Sequence, residues 1–176
     1  MAVAARKWIE SLKERFPDCF EHRKVLECGA HFISTDVKQY FSDIVEYVGV
    51  DWRAGENVNR VCLIHDYKDK PDGYFDTVIS ISLIEHDPYW KKSIKRMLDL
   101  LSFGGTLILT YPGPRNAPHL TDTSPKEGYY KSIPMQEIIE FILLRESFHT
   151  IITESHANVH DDVYLFFDGK GKKGLG

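Results

Sequence analysis

The 176-residue chain has few cysteines, and those it has show no pairing pattern. Cys19, Cys28 and Cys62 match neither a disulfide framework nor the paired spacing of a zinc site. Such sparse cysteine usage is typical of a reducing compartment. We therefore expect a cytoplasmic protein whose fold does not depend on disulfide bonds.

The sequence also lacks long apolar runs. No stretch approaches the roughly 20 residues that a membrane-spanning helix needs. The first residues, which include Glu10 and Glu14, lack the apolar core of a signal peptide. These absences predict that the protein has no membrane partner.

Positive charge is scarce as well. Lys and Arg number 22 against 26 Asp and Glu, which gives a formal net charge of -4. Nucleic-acid-binding surfaces usually carry a basic stripe, and the only basic run here is Lys170-Gly-Lys-Lys173 in a glycine-rich segment. We expect no nucleic-acid partner, a single domain over residues 1–168, and a flexible Gly/Lys tail over 169–176.

Strand-like and helix-like patterns alternate along the chain. Apolar residues at helical spacing predict an amphipathic N-terminal helix, whereas short β-branched runs predict strands, of which 61–64 and 77–83 should be central and buried on both faces. The predicted strands are 23–28, 47–51, 61–64, 77–83 and 106–111, and the predicted helices are 3–16, a stretch around 37–45 behind the candidate caps Ser34 and Thr35, 88–101 and 135–146.

Two further segments complete the predicted fold. Residues 150–153 and 163–167 read as a closing hairpin, and residues 112–134 hold too few apolar positions for a regular element, so we expect a long loop there. The pattern predicts an α/β fold with a doubly wound, mostly parallel seven-stranded sheet, helices on both faces and a C-terminal antiparallel hairpin.

Two of the predicted strands deliver an acidic residue to their carboxyl ends. They are Lys24-Val-Leu-Glu-Cys-Gly-Ala30 and Tyr47-Val-Gly-Val-Asp51. In an open α/β sheet the ligand crevice lies outside these strand ends, and an acid that ends the second strand can accept hydrogen bonds from ribose hydroxyls. The arrangement favours an adenosine-containing ligand held by Asp51.

Four sequence blocks carry a family resemblance over roughly residues 22–168. They are Val25-Leu-Glu-Cys-Gly29, Val48-Gly-Val-Asp51, Phe75-Asp-Thr-Val-Ile-Ser80 through Leu83-Ile-Glu-His86, and Leu101-Ser-Phe-Gly-Gly-Thr-Leu-Ile-Leu109. In this order they resemble the class I S-adenosylmethionine-dependent methyltransferases, in particular the small methyltransferase-domain group. The resemblance implies a Rossmann-like fold, S-adenosylmethionine as cofactor and methyl transfer as activity.

The resemblance also implies which residues approach the cofactor. His65 is an alternative to Asp66 near the adenine amine. The implied cofactor-binding residues are Glu27, Cys28, Gly29, Ala30, His31, Asp51, Trp52, Asp66, Tyr67, Ser82 and Leu83.

The first motif departs from the family pattern at two positions. The family normally continues with further glycines, where this chain has His31 and Ile33. Glycine at such a position lets the backbone approach a ligand closely. His31 should therefore either contact the carboxylate end of the cofactor or partly fill its site.

The acceptor side has its own candidates. His86 is the first choice for a general base, because an imidazole has an ordinary pKa of about 6.5, and Glu85 and His119 are further catalytic candidates. In the alternative interpretation, Glu85 and His86 begin a turn into the next helix, with Asp87 as N-cap. The candidate substrate-binding residues are Arg115, Tyr129, Tyr130 and Lys131, to which Lys126 adds charge, although paired tyrosines often serve packing alone.

These residues favour methyl transfer to an oxygen or nitrogen atom of a small polar acceptor, such as a glycan or a nucleotide-sugar. A catalytically silent partner subunit remains an alternative, as does an NAD-dependent oxidoreductase, which would need a G-x-G-x-x-G turn. The group His156, His160, Asp161 and Asp162 has metal-capable side chains on a predicted hairpin turn, and we expect no metal there. We expect a monomer or homodimer.

Overall fold

A seven-stranded sheet forms the centre of the computed structural model, which describes residues 3–31, 36–116, 124–156 and 162–171. Strands β1 to β5 run parallel, and β7 lies antiparallel between β5 and β6, so the spatial order is β3-β2-β1-β4-β5-β7-β6. The predicted fold class is confirmed. The strands are β1 (Lys24–Cys28), β2 (Glu46–Asp51), β3 (Arg60–Val61), β4 (Phe75–Ile81), β5 (Leu101–Pro112), β6 (Ser147–His156) and β7 (Asp162–Gly171).

Within the described residues, three α-helices accompany the sheet: α1 (Val3–Arg15), α2 (Trp90–Leu100) and α3 (Met135–Leu143). Each lies where apolar residues recur at helical spacing, as predicted. In α2, Trp90, Ile94, Met97 and Leu98 are buried. Leu101, which we placed in this helix, instead begins β5.

The strands supply one hydrophobic core on each face of the sheet, because neighbouring residues of a strand point to opposite faces. Val78 belongs to the core beneath α2 and α3, whereas Ile79 belongs to the core beneath α1. In the second core, the Trp8 ring lies 5.2 Å from that of Tyr164. The N-terminal helix therefore covers one face of the sheet.

The helix predicted around residues 37–45 is wrong. Only one 3-10 turn, Val37–Tyr40, is formed, and it is capped by Asp36, whose carboxylate accepts a hydrogen bond from the Lys38 amide at 3.2 Å. The chain then becomes extended, because Ser42 donates to the Phe20 carbonyl and accepts from the His22 amide, each at 2.9 Å. This main-chain pairing replaces the helix, while the predicted apolar face is still partly buried.

The predicted central strand at residues 61–64 is also wrong. β3 has two residues, lies at the edge of the sheet and is exposed, with Val61 at 53%. The Cys62 amide bonds to the Asp51 carbonyl, after which the chain turns into the 3-10 segment Ile64–Asp66. The apolar run therefore divides between an edge strand and a buried turn.

Two other boundaries differ from the prediction. β5 begins before Gly104 and Gly105 and includes both. Its pairing with β4 shifts register around them, and Gly104 has a φ of 73°. β7 continues through Gly171, so residues 169–171 are not part of a flexible tail. The Lys170 ammonium fixes this end by donating to the carbonyls of Leu98 and Leu101, at 2.6 and 3.0 Å.

No helix in the described part of the chain is both long and apolar enough to cross a membrane.

Candidate active site

A small, partly open cavity lies where the carboxyl ends of β2, β3 and β4 meet. This is the edge at which open α/β sheets bind their ligands. The lining is mainly apolar but includes two acidic residues. The lining residues are Asp51, Trp52, Cys62, Leu63, Ile64, Leu83, Asp87 and Pro125.

Asp51 ends β2 with its carboxyl group held by the main chain. One oxygen accepts a hydrogen bond from the Arg53 amide at 2.8 Å, and the other accepts one from the His31 amide at 3.3 Å. Burial raises the pKa of Asp51, and these two donors oppose that shift. Because each carboxylate oxygen can accept more than one hydrogen bond, Asp51 retains capacity for donors from a ligand.

The turn after β1 brings two strand ends into contact. Gly29 has a φ of 91°, and a Cβ placed on it would lie 3.2 Å from the Cβ of Leu83. Leu83 follows β4 and lines the cavity. The glycine in the first motif thus allows both an unusual backbone angle and close packing against the cavity wall.

The other residues expected around this turn lie deeper. Glu27, Cys28 and Ala30 are buried and are not among the cavity-lining residues. Glu27 accepts a hydrogen bond from the Tyr47 hydroxyl, and burial raises the pKa of Glu27 to about 7. These residues shape the strand end from within the sheet.

His31 is tied to the loop after β2. Its Nδ1 lies 2.9 Å from the Ala54 carbonyl oxygen, while its main-chain amide donates to Asp51. The His31 side chain is not among those that line the cavity. Ile33, the second departure from the family pattern, lies outside the described residues.

Asp66 and Tyr67 do not line the cavity. Asp66 is exposed, and Tyr67 is buried in the core, where its carbonyl accepts a hydrogen bond from Arg96. The reason is the early end of β3 at Val61, which puts residues 62–64, rather than 65–67, at the strand tip. Sequence reasoning missed Cys62, Leu63, Ile64 and Pro125, and it assigned Asp87 only to a helix cap.

Beyond β4, Ser82 has an exposed side chain and an unusual φ of 50°. Glu85 is 0% exposed, and neither of its carboxylate oxygens has a hydrogen-bond partner among the described residues. Burial raises the pKa of Glu85 to about 8; an interaction with the main-chain amide of Glu85 itself opposes the shift, and the negative charge of Asp162 adds to it. This is a carboxyl group in an environment that favours its protonated form.

His86 lies between Glu85 and the long loop. Its Nε2 is 3.7 Å from Oε1 of Glu85, and its ring meets that of Tyr130 edge-on at 5.4 Å. The loop is anchored here, because the Lys131 amide donates to the Glu85 carbonyl at 2.8 Å. Two of the four predicted substrate-binding residues, Tyr130 and Lys131, are thus brought to the catalytic candidates.

The remaining candidates are placed less centrally. The negative charge of Asp87 helps to raise the pKa of Tyr129, second to burial, which indicates that Tyr129 lies near the cavity. The Lys131 ammonium lies 5.6 Å from the centre of the Trp90 ring and 4.0 Å from Glu137. Arg115 is exposed, and His119 lies outside the described residues.

No group of three metal-capable side chains occurs in the part of the chain that is described. The predicted absence of a metal stays a prediction, because His160, Asp161 and the side chain of His156 are not described.

No protein-family model matches the chain, and no curated protein sequence is similar enough to count as a relative. Solved structures do match. A 1,6-didemethyltoxoflavin-N1-methyltransferase from Burkholderia thailandensis, crystallised with its substrate and S-adenosylhomocysteine, is 12% identical with a TM-score of 0.69, and the match covers 96% of this chain and 79% of that one.

A SAM-dependent methyltransferase from Archaeoglobus fulgidus is 15% identical with a TM-score of 0.63, over 93% of this chain and 94% of the other. The chain has the class I methyltransferase fold. The [4+2]-cyclase SpnF is also similar, with 13% identity, a TM-score of 0.67 and coverage of 94% and 81%. A cyclase therefore shares this methyltransferase fold.

Proposed function

We propose that the protein is an S-adenosylmethionine-dependent methyltransferase that modifies an oxygen or nitrogen atom of a small polar acceptor. The observation that carries the proposal is Asp51, which the main chain holds at the tip of β2 on the wall of an apolar cavity. A rigid acid beside an apolar surface suits a ribose joined to an aromatic base. The fold supports the same conclusion.

The residues present fit this cofactor. Asp51 would accept hydrogen bonds from the ribose hydroxyls, and Trp52, Leu63 and Ile64 would pack against adenine. Gly29 and Leu83 would border the methionine part, since they meet at the junction of β1 and β4. When bound, S-adenosylmethionine supplies an activated methyl group on a sulfonium.

The protein would contribute mainly by positioning. Holding an acceptor in a reactive geometry can supply roughly 7 to 11 kcal/mol of the barrier, whereas a single general base typically gives about 10²- to 10⁴-fold. Tyr129 and Tyr130 would orient the acceptor from the loop, and Arg115 and Lys131 would add charge at its outer end.

His86 would take the acceptor proton if that proton must leave. Its Nε2 is 3.7 Å from Glu85, so a proton gained by the imidazole would favour the ionised carboxylate next to it. Glu85 would then stabilise the charged form of His86. His119 remains the second candidate base.

Calorimetric titration with S-adenosylmethionine, S-adenosylhomocysteine and NAD tests the cofactor. Micromolar binding of the first two without NAD would support the proposal. Binding of NAD alone would favour an oxidoreductase, and binding of none would favour a silent partner subunit. Asp66→Ala is a suitable control variant, because Asp66 is exposed and does not line the cavity.

Turnover needs its own measurement, because a [4+2]-cyclase has a similar fold and the fold alone therefore does not establish methyl transfer. Release of S-adenosylhomocysteine should be followed with a panel of small polar acceptors that includes glycans and nucleotide-sugars. With an identified anionic acceptor, the triple replacement of Arg115, Lys126 and Lys131 by alanine should raise KM. An unchanged KM would remove these residues from the acceptor site.

A further inference from the structure

We propose that Asp87, in the segment between β4 and α2, recognises the amino group of adenine and thereby sets the base specificity of the cofactor site. The inference rests on the proposed function. It assigns a ligand contact to a residue that the sequence presents only as a helix cap.

Asp87 is one of two acidic residues that line the cavity, the other being Asp51. The remaining lining side chains have no carbonyl or carboxylate oxygen to offer; they are Trp52, Cys62, Leu63, Ile64, Leu83 and Pro125. The amino group of adenine is a hydrogen-bond donor, and a buried donor without a partner weakens binding. If Asp51 takes the ribose, Asp87 is the side-chain acceptor left for the base.

The Asp87 carboxyl group is held rigidly. Its Oδ1 accepts a hydrogen bond from the Tyr89 amide at 2.7 Å, and the Ser93 hydroxyl provides a second hydrogen bond. Ser93 in turn lies 3.4 Å from Nδ1 of His65. Asp87 is 5% exposed, so these contacts fix it at the wall with little freedom.

Capping of α2 does not explain Asp87 completely. The N-cap residue of α2 is Tyr89, which makes no side-chain capping bond, and the bond from Asp87 reaches the amide of that residue rather than one inside the helix. A carboxylate has about four acceptor positions. The two described donors therefore leave capacity for a donor from the cavity.

Burial raises the pKa of Asp87, and its contacts with Ser93 and the Tyr89 amide oppose that shift. Bonds that favour the ionised form are those expected of an acid that must accept a hydrogen bond. An ionised Asp87 would also repel a base with a carbonyl oxygen in place of the amino group. Both effects select adenine over hypoxanthine.

The test compares S-adenosylhomocysteine with S-inosylhomocysteine, its deaminated form, by calorimetry on the whole protein. Wild-type protein should bind the adenine compound at least about 10-fold more tightly, since a hydrogen bond to a charged group is involved. Asp87→Asn should bring the two affinities within about 3-fold, because an asparagine amide can donate to the carbonyl oxygen of hypoxanthine.

Asp66→Asn is the matched control and should keep the wild-type ratio, since Asp66 is an exposed acid off the cavity. A wild-type protein without preference would overturn the inference with no variant needed. An Asp87→Asn protein that keeps the full preference would also overturn it, and would assign adenine recognition to the main chain.

Two further measurements separate the possible failures. Thermal unfolding checks that Asp87→Asn is folded, and Ser93→Ala, which removes one of the groups that position Asp87, should reduce the ratio less strongly. If wild-type protein binds neither compound, the proposed function fails together with this inference. If it binds S-adenosylhomocysteine but Asp87→Asn and Ser93→Ala leave the ratio unchanged, only this inference fails.

Discussion

β2 ends in a buried acid, Asp51, and a second buried acid, Glu85, lies in the turn that follows β4; the two differ in their hydrogen bonds. Asp51 has a main-chain donor on each carboxylate oxygen and lines the cavity. Glu85 is fully buried, and its carboxylate oxygens have no hydrogen-bond partner among the described residues. In the proposed function, Asp51 is therefore held in position before a ligand binds.

Burial favours the neutral carboxyl group of Glu85, and a positive charge on the neighbouring His86 would reverse that preference. In the proposed function, the first acid would serve recognition and the second proton transfer. The comparison teaches that two buried acids near neighbouring strand ends can suit different tasks, and that the donors around each acid decide which.

The largest expected effect comes from Glu85→Gln. The pKa of Glu85 is raised from 4.5 to about 8, so the unfolded chain ionises this group first as pH rises. The contribution of Glu85 to stability is therefore fully present below pH 4.5 and is lost as pH rises to about 8, a loss of up to about 5 kcal/mol. Glu85→Gln should remove much of this slope and be more stable than wild type at pH 8.

Denaturant unfolding at several pH values checks this prediction. Glu27→Gln should remove a similar slope that ends near pH 7, because burial raises the pKa of Glu27 to about 7. Glu46→Gln is the control of opposite sign, since hydrogen bonds from Lys70 and Tyr74 lower the pKa of Glu46. An equal pH slope in wild type and Glu85→Gln would mean that Glu85 has partners in solution.

The next effect concerns the acid at the β2 tip. Asp51→Ala should weaken S-adenosylhomocysteine binding by about 1.5 to 3 kcal/mol, the range for a hydrogen bond to a charged group. Asp51→Asn keeps the size of the side chain and an oxygen for one of the two amides, so it should lose less. Calorimetry measures both, and unchanged affinity for Asp51→Ala would remove Asp51 from the site.

Gly29→Ala tests the contact that joins the tips of β1 and β4. The positive φ should cost roughly 1 to 2 kcal/mol of unfolding free energy, and the added Cβ would lie 3.2 Å from that of Leu83. Gly73→Ala is matched for backbone conformation, with φ at 71° but nothing within 4 Å of the new Cβ. Only Gly29→Ala should also weaken cofactor binding, and equal effects in both variants would contradict a role for the Leu83 contact.

The smallest effect is expected for His31→Ala. The variant loses the hydrogen bond from the ring to the Ala54 carbonyl, worth about 0.5 to 1.5 kcal/mol of stability. The amide that donates to Asp51 is retained, so cofactor affinity should change little. A gain in affinity of about tenfold or more on titration would show instead that the imidazole obstructs the site.

The sequence predicts the parts of the fold that depend on local pattern. β1, β2 and β4 are continuous apolar runs, and Asp51 ends one of them, so the strand tip that carries it could be read directly. The helix predicted around residues 37–45 does not form, because the main chain of Ser42 pairs instead with residues 20–22. Such pairing is a tertiary effect that propensity does not contain.

The site was predictable to the same extent. β3 ends at Val61, three residues before its predicted end. The residues expected to line the cavity were therefore placed too far along the chain, so that Asp66 was predicted there instead of Ile64. The sequence did not suggest the role that we propose for Asp87, because a carboxylate before a helix has an ordinary capping explanation. The environment of the Glu85 carboxyl group includes residues that are distant in the sequence. The spacing of residues along the chain therefore could not predict it.

The packing of α1 has a consequence for how the protein is made. The Trp8 ring lies 5.2 Å from that of Tyr164, and the ring of Phe16, the residue after α1, lies 4.8 Å from that of Phe166. The first helix can therefore contact β7 only after most of the chain has been synthesised. Contacts between such distant residues form slowly and leave apolar surface exposed meanwhile. A nascent chain that has not reached Tyr164 therefore carries α1 with part of its apolar face in water.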